Sequence, residues 1–212
     1  MEKDNMRKIR WKENQVISIE TRRKDEKREF NIYVLAQMIN KTDLIIFNAF
    51  NSDNNWQKID LEKTPILFCA TVTKQFLKNS NIFRQGIKGL TNYNIPKQKI
   101  KPLGIGSRYV TIWKGTPSER QILILGQGGG KLIEEDMSSG KYIEKILIPS
   151  IEKKDLDIIN KFELTGARTY AEFNERLYLC YKMKKNIDPM KELIFDLPIP
   201  LEYKEYINII SS

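Results

Sequence analysis

The run Phe30–Ile39 constrains this chain more than any other segment. Phe30, Ile32, Val34, Ala36 and Met38 share one parity, and Tyr33, Leu35 and Ile39 share the other. Successive side chains of a strand point to opposite faces. A strand apolar on both faces must be covered on both, so it sits centrally in its sheet. The neighbours it needs are close by in sequence. Asn14–Glu20 carries Val16, Ile17 and Ile19, Leu44–Phe50 is a further apolar run, and Pro65–Thr73 is a fourth. The charged stretch Thr21–Glu29 reads as a solvated hairpin tip, Asn40–Asp43 as a turn, and Asn51–Asn55 as a polar loop. Strands at this spacing predict an antiparallel meander that curls into a small or partial barrel.

Beyond it the pattern loosens. Lys74–Asn81 reads as a short helix. Gly86, Gly89, Pro96 and Pro102 punctuate a long connection. Strand signals return at Ser107–Trp113, Arg120–Leu125 and Ile143–Ile148. The last third is helical. Glu152–Phe162 sets Leu156, Ile159 and Phe162 on one face. Thr169-Tyr170-Ala171-Glu172 matches a capping box, and Tyr170, Phe173, Leu177, Cys180 and Tyr181 follow at helical spacing. Lys182, Lys184 and Lys185 suit the negative end of that helix. Asp188-Pro189 is expected to stop it, with Pro198 and Pro200 delaying any further helix until Leu201. The expectation is one α+β domain over 1–212. It has a curved antiparallel sheet or partial barrel in the N-terminal half (β-rich 9–148) and helices in the C-terminal third (150–212).

Composition bears on chemistry. The 212 residues contain no histidine, which removes Ser-His-Asp and Cys-His mechanisms and imidazole metal sites. Two cysteines, Cys69 and Cys180, are too few for a four-thiolate zinc site. Both lie in apolar runs and read as small buried hydrophobes, with a disulfide between them open. The longest apolar runs are about five residues, against about 20 for a membrane span. No secretory signal opens the chain, so a cytoplasmic, non-membrane protein is expected.

The net charge of +9 is unevenly spread. No acidic residue occurs from Lys63 to Ser118. That stretch holds Lys63, Lys74, Lys78, Arg84, Lys88, Lys97, Lys99, Lys101, Arg108 and Lys114, interleaved with Phe76, Phe83, Tyr93, Tyr109 and Trp113. Folded into one face, it would meet an anionic partner, nucleic acid or an acidic protein surface. Lys97, Lys99, Lys101, Arg108 and Lys114 are the candidate contacts. The alternative is a solvated face whose acids come from distant segments.

Other motifs carry less. Gly126-Gln127-Gly128-Gly129-Gly130-Lys131 resembles a phosphate loop, but Leu125 stands where a P-loop needs glycine and Leu132 where it needs Ser or Thr. A turn between two β-segments fits it better. Glu134-Glu135-Asp136 reads as a solvated acidic loop rather than a cation site. Ser107, Ser138 and Ser139 have no base in sequence reach. Trp11, Trp56 and Trp113 read as core or rim packing. No catalytic residue, cofactor or metal is indicated.

One resemblance emerges from the strand order. Trp11 precedes Val16–Glu20, then Phe30-Asn31-Ile32-Tyr33-Val34-Leu35-Ala36-Gln37-Met38, Ile45-Ile46-Phe47-Asn48-Ala49-Phe50 and Pro65-Ile66-Leu67-Phe68-Cys69-Ala70-Thr71-Val72. Phe83-Arg84-Gln85-Gly86 closes the block, and Ala171-Glu172-Phe173-Asn174-Glu175-Arg176-Leu177 follows. Over about residues 9–180 this resembles the immunity protein 26 family of bacterial polymorphic toxin systems, with Phe83 in place of the usual tryptophan. The resemblance implies a non-enzymatic protein that binds and neutralises a cognate toxin. Given the basic charge, that toxin would present an acidic patch. The alternative is a nucleic-acid-binding module built on 63–118.

Overall fold

In the computed structural model the described residues are 9–21, 31–103, 108–113, 120–125, 129–136 and 142–211, with 108–113 and 120–125 described as backbone alone. The meander forms as expected: β1 (Gln15–Glu20), β2 (Tyr33–Ile39), β3 (Asp43–Asn51) and β4 (Ile66–Val72) pair antiparallel in order. β5 (Ile82–Lys88) joins the outer edge of β1. The two-residue strand β11 (Ala167–Arg168) joins β4 in parallel. The sheet order β11-β4-β3-β2-β1-β5 is open, with β11 and β5 at its ends. The α+β fold stands as expected: the six-stranded sheet is mixed, through the parallel β11, and is not a closed barrel.

β2 sits centrally because both its faces are covered. On one side Ile17, Ile19, Val34, Ala36, Met38, Leu44 and Ile46 pack with the C-terminal helices. On the other, Val16, Leu35, Ile39, Ile45 and Phe47 lie under Trp56 and Leu61 and partly buried residues of 87–95. Gln37, fully buried on that side, is satisfied by Leu90, whose N–H it accepts at 2.7 Å and whose carbonyl it meets at 2.8 Å.

A second sheet of three strands has the order β10 (Ile143–Ile151), β9 (Gly130–Asp136), β6 (Gln98–Pro102). β7 (Arg108–Trp113) and β8 (Arg120–Leu125) form a separate hairpin. Three of these strands correct the sequence reading. β5 and β6 lie in what reads as a long connection, and Glu134-Glu135-Asp136 belongs to β9 rather than a solvated loop. Acidic residues persist in β9 because lysines of neighbouring strands face them. Gly129 (φ 63°) packs so closely that a Cβ there would sit 2.0 Å from the Ile151 carbonyl oxygen, and Gly130 and Lys131 of the glycine-rich run already belong to β9. Gly126–Gly128, Ser138 and Ser139, most of the charged run 21–29, Ser107 and Lys114 lie outside the described residues.

The helices are α1 (Lys74–Asn79), α2 (Leu156–Lys161), α3 (Glu172–Met183), α4 (Pro189–Ile194) and α5 (Lys204–Ser211), the last preceded by a 3-10 turn at Leu201–Tyr203. Thr73 caps α1 by accepting from the Phe76 N–H. On α2, Ile159 is buried but Leu156 is exposed, so the expected three-residue face is narrower. Two further corrections concern α3 and α4. The capping box does not form: Ala171 is the N-cap of α3, the Thr169 hydroxyl is buried with no hydrogen-bond partner, and the Glu172 carboxylate turns to other partners. Asp188-Pro189 does not merely stop a helix. Asp188 caps α4, accepting from the Met190 N–H, and Pro189 takes the first helical position, where its missing N–H costs nothing.

Cys69 and Cys180 are both free thiols. Cys180 is buried as expected, but Cys69 is only half-buried, on the edge of β4. Among the described residues no helix is long and apolar enough to cross a membrane.

Candidate functional site

The structure distributes charge in three distinct ways. The first is a ladder across the small sheet. Register places Lys99 opposite Ile133 and Lys101 opposite Lys131, with Glu144 of β10 opposite Glu135. Lys99 meets Glu135 at 3.0 Å. Lys101 and Lys131 share Glu144, each at 2.6 Å, and Lys97 approaches Asp136 at 3.8 Å. The hydrogen bonds from Lys101 and Lys131 hold the Glu144 carboxyl down at about 2. Three of the five candidate contacts, Lys97, Lys99 and Lys101, thus face carboxylates from segments distant in sequence. Arg108 lies on β7, whose side chains are outside the description, as is Lys114.

The second group is buried. Arg168, at the end of β11, pairs with Glu172 at 3.1 Å and with Asp188. Arg176 of α3, fully buried, pairs with Glu163 at 2.7 Å and Asp188 at 3.4 Å, donates to the Ile187 carbonyl at 2.7 Å, and stacks over the Phe68 ring at 3.9 Å. The Tyr206 hydroxyl donates to Glu172 at 2.6 Å, and Asn186 donates to Glu163 at 2.7 Å. Burial alone would push the Asp188 carboxyl up, but Arg168 and Arg176 outweigh it and hold it below the ordinary carboxylate range. Burial raises the Tyr206 hydroxyl, and the Glu172 charge adds to that. These groups are engaged with one another, which suits a structural cluster.

The third group is the exposed remainder of the acid-free segment. Lys74 and Lys78 lie four apart on α1, hence on one side of it. Arg84 and Lys88 lie on edge strand β5, with Arg84 opposite the core residue Ile17. All four are exposed, and none has an ion-pair partner among the described residues. Phe83 is also exposed but on the opposite face of β5 from Arg84, where it stacks edge-on against Tyr33 with ring centroids 5.8 Å apart. Sequence reasoning included these residues in the basic segment but singled out others. The missing signal was spatial: which lysines would find acids could not be read along the chain.

A cavity of about 310 Å³ lies elsewhere, between β4, the segment Asn94–Lys99, and Lys161–Glu163. Cys69 lines it, and burial, reinforced by Asp43 and Glu163, pushes that thiol up to about 12. Such a thiol stays protonated at neutral pH and is a poor nucleophile.

Comparison with curated proteins returned no match, and comparison with solved structures returned none either. The family model described as "Domain of unknown function (DUF8309)" matches residues 6–198, and the chain belongs to that family.

Proposed function

We propose that this chain is a cytoplasmic, non-enzymatic immunity protein that binds and neutralises a cognate bacterial polymorphic toxin through an acidic surface of that toxin. The observation that carries the reading is the group Lys74, Lys78, Arg84 and Lys88 on the consecutive elements α1 and β5, four exposed cations without carboxylate partners among the described residues. Cations left unpaired on consecutive elements raise the local potential and speed encounter with an anionic partner. The order of apolar strands in the sequence is the second support, through its resemblance to immunity protein 26.

The test is co-expression with the toxin encoded beside it. Protection and a co-purifying complex are expected, with both lost when Lys74, Lys78, Arg84 and Lys88 are all changed to Glu. Absence of protection by the wild-type chain sinks the reading. The same group of cations favours a second reading, a nucleic-acid-binding module. That reading requires a shift of single-stranded RNA or duplex DNA at low salt that weakens steeply as salt rises.

A further inference from the structure

We propose that the cleft between β4 and the start of β6 binds a short, extended apolar peptide that hydrogen-bonds to the exposed edge of β4. The lining residues carry the first part of the argument. Six consecutive residues, Ile66–Thr71, line the cavity. A pocket on a sheet face touches alternate residues, because neighbours point to opposite faces. A pocket touched by every residue runs along the strand's edge, where backbone groups are presented.

The hydrogen bonds show which groups those are. The Val72 N–H donates to the Thr42 carbonyl, on the β3 side, at 2.9 Å. The Thr73 N–H donates the other way, to the Arg168 carbonyl, at 2.9 Å. Backbone groups alternate along an antiparallel strand, so Cys69, two pairs back from Thr73, turns its N–H and C=O away from β3. β11 takes up this edge only at Thr71 and Val72. On the opposite wall, Ile100 directs its N–H to Glu163 and its C=O to Thr165, away from β9. Gln98, of the same parity, turns its groups to the same side. The cleft is thus flanked by two strand edges, with Cys69 and Gln98 presenting backbone groups. This is the geometry of strand addition, in which main-chain hydrogen bonds bind and side-chain pockets select.

Size and charge specify the occupant. A cavity of about 310 Å³ is at the small end of ligand sites. At about 3.3 Å per residue, Ile66–Ala70, the stretch of β4 before β11 joins it, offers room along its edge for a tripeptide. Ile66, Phe68, Ile95 and Phe162 make the walls apolar. Two lining charges lack an ion pair among the described residues. Asp43 accepts only from Thr71 and Asn40, and the Lys161 ammonium lies over the Phe162 ring at 5.2 Å. A free peptide, with its own ammonium and carboxylate, complements both. The cleft is on the β4 side of the large sheet, four strand positions from β5, so this inference is independent of the toxin reading.

The probe is the free tripeptide Val-Ile-Val, titrated into the full chain by calorimetry and followed by amide NMR. Saturable binding is expected, with slowed exchange of the Cys69 amide. Cys69→Ala keeps the outward N–H and stays within about twofold of wild type. Cys69→Pro removes that N–H at an edge position where proline is tolerated, and should weaken binding by tenfold or more. The carboxamide of the same peptide should bind several-fold more weakly than the free acid. No saturable binding at millimolar peptide overturns the proposal. So does unchanged exchange of the Cys69 amide in the wild-type complex, a readout that holds even where Cys69→Pro does not fold.

Discussion

The lysine ladder of the small sheet and the Arg168–Arg176 cluster contain the same chemistry in opposite surroundings. In the ladder, Lys99 and Glu135 keep about a fifth to a quarter of their side-chain surface in water. In the cluster, Arg176 and Asp188 keep essentially none. Water already stabilises the ladder's charges, so pairing adds little and salt screens it. The cluster's charges have lost that solvation, and only their mutual arrangement replaces it. The ladder can lose a member. In the cluster, each removal strands a charge.

The largest expected effect is therefore Asp188→Asn. Asparagine keeps the shape and the capping oxygen but leaves Arg168 and Arg176 short of a counter-charge. A loss of about 3–5 kcal/mol is expected by chemical denaturation. A loss under 1 kcal/mol would show that the cluster behaves like the ladder.

The pH dependence follows from the same group. Asp188 titrates below its ordinary value of 3.8 in the fold. Its contribution is present above pH 3.8 and is lost as pH falls through the lower, folded value. Denaturation curves below about pH 4 should show this slope in the wild type, and a shallower one in Asp188→Asn. Lys99→Met, in the ladder, should cost less than about 1 kcal/mol, and less still at high salt.

Thr169→Val should change stability least. Its hydroxyl is buried without a hydrogen-bond partner, so an apolar replacement of the same shape is expected to be neutral or slightly stabilising. A capping-box threonine would instead cost about 1 kcal/mol on removal, so this one thermal melt decides between the motif and the fold.

How far the sequence revealed the structure depended on whether side chains recorded the constraint. β1 to β4 were legible because their apolar residues alternate or fill both faces. β5, at an edge, exposes Phe83, Arg84 and Lys88, and β9 carries acids that only neighbouring lysines explain. The Thr169–Glu172 spacing fitted a capping box, but Glu172 had Arg168 and Tyr206 within reach, and a buried charge takes the strongest partners available. Asp188-Pro189 reads equally as a stop and as a start, and only the core waiting for Met190, Leu193 and Ile194 decides. Basic residues were legible as a group, but not which would remain unpaired. The cleft left no trace in the sequence pattern, because its distinguishing groups are backbone.

The segment from Glu163 to Arg168 has a consequence for the order of folding. It bonds Ile100 of the small sheet and Thr73 beyond β4, and its two end residues both enter the buried ion cluster. The meander β1–β4 pairs strands that are neighbours in sequence and can assemble early. This tie must wait until residues far apart in sequence have met, and such closures are slow. Mutations in the cluster should therefore speed unfolding far more than they slow folding. The ions act as a latch set after the sheets have formed, and kinetic lifetime, more than folding speed, depends on them.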